Sequence, residues 1–220
     1  MAINYNRPQI VTNGLVLCLD AGDVQSYSGS GSTWTDRSGN GNNGTINGAT
    51  FSSNNNGYFS FDGTDDTVSI SEITLTTQWT ISYWFYHNAA SSYEMTIGKN
   101  GDAGNRFYHR DTGSDYKLRV HNNDNQNVVD MPMPDRRQKW THLAYSMNGT
   151  NVTGWVNGEG SLNTTVGDTN TFVIDNLGYP YYSGNYYWLG YIGPVHVYNK
   201  QLTDAEVLQN YNATRGRFGL

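Results

Sequence analysis

The chain has 220 residues, of which 36% are hydrophobic, 14% aromatic (17 Tyr and 6 Trp among them) and only 15% charged. A net charge of −6 and a pI near 5.2 argue against a nucleic-acid partner, which calls for clustered Lys and Arg to displace counterions from phosphate. So many aromatic residues exclude a disordered chain, and a lone Cys18 excludes an internal disulfide framework.

The opening MAINYNRPQI has neither a secretory nor a transit-peptide pattern, and no run reaches the roughly 18 apolar residues of a membrane span, so no membrane partner is expected. Residues 1–13 read as an arm or edge strand, and Leu15 to Asp20 as the first core strand, with Cys18 a small buried hydrophobe. From Ala21 to Asn56 the sequence is almost all Gly, Ser, Asn, Asp and Thr, broken by Trp34, Ile46 and Phe51. Short strands are expected there, because a structureless loop of that length is rare inside a domain. Recurrent Asn-Gly pairs and Asp62-Gly63 supply the positive φ of tight turns. Tyr58 to Asp62 and Val68 to Ile70 alternate and are read as a hairpin across Gly63 to Asp66. Trp79 to His87 has aromatic residues on both faces and is expected to be a central strand covered on both sides.

A meander follows over Met95–Lys99, Arg106–Arg110, Tyr116–His121 and Asn127–Asp130, then a hairpin of Trp140–Met147 and Val152–Asn157 across Asn148-Gly149. Gly178 to Gly190 is a tyrosine-rich loop. Trp188 to Val207 then passes from a strand period to a helix signal. Thr203 and Glu206 are spaced as a capping box, and Leu202 and Val207 as a hydrophobic staple. Strands about every 8–12 residues, without a composition shift, predict one all-β domain over residues 1–220: a two-sheet antiparallel jelly-roll sandwich with one short C-terminal helix, an arm at 1–13 and a tail at 210–220.

Four stretches in this order resemble the laminin-G-like or concanavalin A-like jelly rolls: Ser60 to Val68, Trp79 to Trp84, Trp140 to Tyr145 with Gly154 to Gly158, and Tyr198 to Thr203. The two ends, Met1 to Asp20 and Asn210 to Leu220, resemble virion proteins of tailed bacteriophages, especially those of marine bacteria and cyanobacteria. That resemblance implies localisation in a virion and a non-enzymatic capsid-decoration or tail component. Its partners would be other virion proteins and further copies of itself. The fold also hosts lectins and glycosidases, so a glycan-binding receptor-recognition module is the alternative and a glycoside hydrolase a weaker one.

The cluster Tyr179, Tyr181, Tyr182, Tyr186, Tyr187 and Trp188 is the candidate contact surface, because rings with polar tips stack on sugars and dominate protein interfaces. A host surface glycan or another virion subunit would lie there. A hydrolase of this fold needs two carboxylates about 5–9.5 Å apart. The four glutamates, Glu72, Glu94, Glu159 and Glu206, lack the Glu-x-Asp-x-(x)-Glu strand spacing of glycosidases that share the sandwich. The five histidines have no zinc-ligand spacing, and no cofactor is expected apart from a structural Ca2+. Asp62, Asp65 and Asp66 crowd one turn and are the calcium candidates; hydrogen bonding to turn amides is the competing reading. Many relatives carry an acidic residue before the late strand, where this chain has Gly193-Pro194, and that weakens calcium.

Overall fold

The computed structural model describes residues 9–88, 93–102, 104–113, 115–122, 127–134, 136–167, 171–179 and 186–220. The strands are β1 (Leu15–Leu19), β2 (Thr33–Trp34), β3 (Gly44–Asn47), β4 (Thr50–Ser52), β5 (Tyr58–Asp62), β6 (Thr67–Leu75), β7 (Gln78–His87), β8 (Tyr93–Gly98), β9 (Arg106–Asp111), β10 (Tyr116–Asn122), β11 (Asn127–Pro132), β12 (Thr141–Asn148), β13 (Asn151–Val156), β14 (Glu159–Thr165), β15 (Phe172–Leu177) and β16 (Leu189–Tyr198). Helix α1 (Asp204–Thr214) follows and tightens into a 3-10 turn, Arg215–Phe218. The strands form two antiparallel sheets in a jelly-roll sandwich. Sheet A runs β14-β13-β12-β7-β16-β5-β4, with β1 also paired to β16, and sheet B runs β11-β10-β9-β8-β15-β6-β3-β2.

Period-2 alternation explains the layers. On β7, Trp79, Ile81, Tyr83 and Phe85 join the core between the sheets, while Thr80, Ser82, Trp84 and Tyr86 face outward. Trp34, Phe59, Phe61, Phe107, Phe172 and Trp188 fill the same core with no more than 1% of their surface exposed. Burying each Phe contributes about 1.5–3 kcal/mol. As expected, β7 is central and covered on both sides, β8 to β11 form the meander, and β12 and β13 the hairpin. Trp34, Ile46 and Phe51 do sit on short strands.

Helix α1 starts where the capping box places it. Thr203 Oγ1 accepts from the Glu206 amide at 3.3 Å, and Glu206 Oε2 accepts from the Thr203 amide at 2.9 Å. Leu202 and Val207 are buried in a second cluster with Val11, Ala144, Trp155 and Tyr198, on the outside of sheet A. The helix is thereby laid across that face. Trp155 Nε1 donates to Asp204 Oδ1 and Trp84 Nε1 to Thr214 Oγ1, both at 2.8 Å. Tyr211 and Phe218 stack on Trp84, with ring centroids 5.8 and 4.2 Å away.

Three expectations need correction. Tyr58–Asp62 and Thr67–Leu75 are not a hairpin: β5 pairs β16 and β4 in sheet A, and β6 pairs β15 and β3 in sheet B. The Asp-Gly turn between them carries the chain from one sheet to the other. Two strands, β14 and β15, lie where none was expected. The tail does not begin at Asn210, because α1 runs on to Thr214 and the last turn packs onto the same domain. Of the arm, residues 9–13 make no strand. They are held instead by Val11, whose amide donates to Asn210 Oδ1 at 2.8 Å and whose carbonyl accepts from the Tyr198 hydroxyl at 3.0 Å.

Candidate functional site

The two outer faces of the sandwich differ. α1 and the last turn lie across part of that of sheet A, beside the half-buried rings of Tyr86, Trp140 and Tyr191; among the described residues no helix lies on that of sheet B. A recess of about 220 Å³ opens there, lined by Tyr93, Met95, Arg106, Tyr108 and Tyr186. Strand register assembles it. On β9, Phe107 and His109 face the core, so Arg106, Tyr108 and Arg110 must face out. Met95 pairs with Tyr108 and Tyr93 with Arg110 across the β8–β9 ladder. Tyr186 enters from the tyrosine-rich loop, held by a 3.0 Å bond from the Met95 amide to its carbonyl.

The Tyr93 ring, 43% exposed, lies 6.0 Å from that of Tyr108 and 6.4 Å from that of Tyr186, tilted or edge-on to both. Guanidinium groups flank Tyr108: Arg106 at 5.7 Å and Arg119 at 6.0 Å from the ring centre, within cation–π range. Arg119 makes a two-point bond with Asp130, Nη2 to Oδ2 at 2.6 Å. That bond holds the Asp130 carboxyl below its usual range, and burial pushes the Tyr108 hydroxyl above its own. Arg106 Nη2 lies 3.1 Å from His121 Nδ1. A guanidinium only donates, so Nδ1 accepts and the proton of the neutral ring sits on Nε2, 3.4 Å from the Tyr108 hydroxyl.

Behind the recess a hydrogen-bonded chain crosses the core. It runs from Thr96 Oγ1 to the Tyr83 hydroxyl (2.9 Å), His109 Nε2 (3.1 Å), across that ring from Nδ1 to the Tyr116 hydroxyl (3.1 Å), then to His87 Nδ1 (3.0 Å). The other nitrogen of His87 meets Glu94 Oε2 at 3.1 Å, and the same oxygen accepts from the Leu189 amide at 2.8 Å. Burial keeps His109 well below the usual histidine pKa, and hence neutral. Glu94 thus fastens the end of the tyrosine-rich loop from inside.

Of the contact residues expected from sequence, the structure brings Tyr186 to the recess and places half-buried Tyr179 nearby, its hydroxyl accepting from the Gly101 amide at 3.2 Å. Tyr187 is half-buried. Tyr181 and Tyr182 lie outside the described residues. Trp188 is a correction: it is fully buried, stacked on His87 at 4.8 Å, and belongs to the core. It lies just before β16 and packs in the core between the sheets, which puts it beyond reach of a ligand. Sequence reasoning missed Tyr93, Met95, Arg106 and Tyr108; the outward alternation of Arg106, Tyr108 and Arg110 was the available signal.

Asp62, Asp65 and Asp66 do converge, with one oxygen of each within 4.8 Å of the others. Asp62 Oδ1 accepts from the Thr64 amide at 2.8 Å and the Asp65 amide at 3.4 Å, and Asp66 Oδ2 from the Asp62 amide at 2.8 Å. Burial, then the neighbouring Asp62 and Asp65 charges, raise the Asp66 pKa. A larger recess of about 500 Å³, lined by Ser53, Asn55, Asn56, Asn212 and Arg217 among others, has no aromatic ring for a ligand to stack on.

Residues 62–208 match the model of the concanavalin A-like lectin/glucanases superfamily, laminin-G type, and the chain belongs to that family. Solved structures agree on the fold. Domain 4 of AbnA, an extracellular GH43 arabinanase of Geobacillus stearothermophilus solved with arabinotriose, is 17% identical at a TM-score of 0.66, over 90% of this chain and 98% of that one. A sialidase of Trypanosoma rangeli is 14% identical at a TM-score of 0.68, over 93% of this chain and 33% of that one. The binding domain of botulinum neurotoxin serotype D is 11% identical at a TM-score of 0.68, over 91% and 52%. This chain therefore spans about a third of the sialidase and half of the toxin domain. No curated protein sequence gives a significant match.

Proposed function

We propose that this protein is a non-catalytic glycan-binding module whose recess on sheet B holds a sugar against Tyr93, Tyr108 and Tyr186. One observation carries the reading: on the outer face of sheet B, Tyr93, Tyr108 and Tyr186 converge on one recess with a guanidinium at their side. The exposed ring of Tyr93 and the half-buried ring of Tyr186 can bury the apolar face of a sugar, backed by Tyr108, which is itself buried. Similarity to a domain solved with arabinotriose supports the same class of ligand. Against hydrolysis, the glutamate nearest the recess, Glu94, lies inside the sandwich on His87 and the Leu189 amide, and Asp130 is taken up by Arg119. No pair of described carboxylates flanks the recess as glycoside cleavage requires.

The resemblance of the two ends to virion proteins supports, as part of the same proposal, a site on a tailed-phage particle, where the module would recognise a host surface glycan. The described part of the N-terminal arm and the last turn fold back on their own domain, Val11 on Asn210 and Arg217 on Asp20, which favours the recognition reading over one in which the tail binds a neighbouring subunit.

A glycan array followed by calorimetric titration tests the proposal. Tyr93→Ala and Tyr186→Ala, both at exposed or half-buried rings, are expected to weaken binding at least about tenfold with unchanged melting temperature. Absence of any glycan ligand, or binding indifferent to both substitutions, would refute it.

A further inference from the structure

We propose that the domain has a second binding site, for an uncharged oligosaccharide: one end of the ligand sits in the recess beside Arg217, and its chain lies over a row of rings on the outer face of sheet A. This site is independent of the one on sheet B. The recess, of about 500 Å³, has the size of a small-ligand cleft. Asn55, Asn56 and Asn212 line it, and none of their side-chain amides bonds another described residue. An amide both donates and accepts, as a sugar hydroxyl does. Asn55 and Asn56 are left-handed, at φ 48° and 59°. Arg217 holds the carbonyls of both, and that of Gly57, while its other terminal nitrogen is bonded twice to Asp20. All five N–H groups of the guanidinium are thereby used. The loop that carries the amides is fixed before a ligand arrives, which lowers the entropy lost on binding. Arg217 is also the one charged side chain among the described residues lining the recess, so an anion finds no unpaired cation there.

No ring lines the recess itself, but a row of them starts at its wall. The Arg217 guanidinium lies 5.5 Å from the ring centre of Phe218, and Phe218 lies 4.4 Å from Trp140. Trp140 in turn packs on Tyr58 at 5.2 Å, Tyr86 at 5.7 Å and Tyr191 at 6.0 Å, and Tyr86 and Tyr191 stack at 5.1 Å. Strand alternation sets these tyrosines outward: Phe59, Phe85 and Ile192 belong to the core, so Tyr58, Tyr86 and Tyr191 beside them point away from it. Tyr86, Trp140 and Tyr191 are half-buried and keep part of their surface open. Such rings bury the apolar face of a sugar while their polar tips stay in water. A row of rings that begins at an amide-lined recess suits a chain of several sugar units rather than a single one.

The test uses the full chain carrying Tyr93→Ala and Tyr186→Ala, which disable the recess on sheet B. It is screened on an array of neutral gluco-, xylo-, arabino- and galacto-oligosaccharides, and each ligand found is titrated by calorimetry and fluorescence. A neutral chain of three or more units is expected to bind, with affinity unchanged as NaCl rises from about 50 to about 500 mM. Binding should shift the emission of Trp140, the one tryptophan of six that is not buried, and Trp140→Phe should remove the shift. Asn55→Gly with Asn56→Gly, which keeps a residue suited to positive φ, and Asn212→Ala should each weaken binding at least about tenfold. Tyr191→Ala should weaken the longer chains and leave the monosaccharide little changed. Binding by the parent but not by the Tyr93→Ala/Tyr186→Ala chain would overturn the second site and leave the sheet B reading standing. No binding by either would overturn both. Binding indifferent to the asparagine substitutions, or confined to charged sugars, would overturn this proposal alone. Should the glycine pair lower the melting temperature, Asn212→Ala, at a helical position that alanine favours, decides the matter.

Discussion

Arg217 and Asp20, 197 positions apart, are joined at two points: Nη1 donates to Oδ1 at 2.8 Å and to Oδ2 at 2.7 Å. The same guanidinium donates to the carbonyls of Asn55, Asn56 and Gly57, at 3.3, 3.0 and 3.0 Å. One side chain thereby ties the last turn, the loop after β1 and the turn before β5 together. Arg217→Ala is expected to cost about 1–3 kcal/mol, read from the urea midpoint, because three carbonyls and a carboxylate lose a charged donor together. Arg217→Lys should restore little, lacking the planar fork. A loss under about 0.5 kcal/mol would show that the tail is not fastened in this way.

Glu94 lies behind the recess without lining it, so Glu94→Ala separates positioning from contact. Its removal leaves the Leu189 amide and the His87 ring without that acceptor. The expected cost is about 1–3 kcal/mol in stability, with weaker glycan binding at temperatures where the domain is still folded. Unchanged affinity would mean that the tyrosine-rich loop is held by other contacts.

Trp188 and Tyr186 are two residues apart and should fail differently. Trp188→Ala empties a core site and is expected to cost about 3–5 kcal/mol by chemical denaturation. Tyr186→Ala should cost under about 1 kcal/mol and show its effect in ligand binding. Equal stability losses in the two variants would contradict the assignment of one to the core and the other to the surface.

Acid should destabilise the domain through its buried histidines. Burial, with a smaller contribution from His196, lowers His142 to about 3, and burial lowers His196 to about 4. Both rings are neutral when folded but protonate near 6.5 when unfolded, so the unfolded state binds more protons below that pH. Their contribution is full above about 6.5, falls as pH drops, and is exhausted near 4 for His196 and 3 for His142. From pH 6.5 to 5 each should forfeit about 2 kcal/mol, at 1.36 kcal/mol per unit. Denaturant titrations of the parent and of His196→Gln would show the variant with the shallower pH dependence; parallel curves would refute the assignment.

Calcium should leave stability unchanged. Asp62 and Asp66 already accept turn amides in linking β5 to β6, and the third carboxylate, Asp65, is exposed. Melting curves with millimolar Ca2+ and with chelator are expected to coincide. A concentration-dependent rise of several degrees, lost in Asp65→Asn, would assign the turn to a metal.

The capping box at Thr203 and the alternation of β7 were legible because both are local patterns that tertiary packing had only to accept. The turn Asp62 to Asp66 was misread for the opposite reason. An Asp-Gly turn between two alternating runs looks the same whether the strands pair or part to opposite sheets, and only the partners β16 and β15 decide. β14 went unseen because it is an edge strand with Leu162 its single large apolar residue, so it lacks the inward row that reveals a strand. β15 has such a row, Phe172 and Ile174, but lies in a stretch left unassigned between the Asn157 turn and the tyrosine loop. The site was half legible. The tyrosine-rich loop announced itself by composition, but its partners come from two other strands and meet Tyr186 only through the register that sets Met95 opposite Tyr108.

The packing of α1 against sheet A alone also gives the domain a front and a back. Val11 near one end and the turn at Arg217 near the other both lie behind sheet A, whereas Tyr93 and Tyr186 look out from sheet B. The contacts that fasten Val11 and Arg217 therefore stand a full sandwich thickness from the tyrosines of sheet B, so substitutions in the recess there leave that fastening intact.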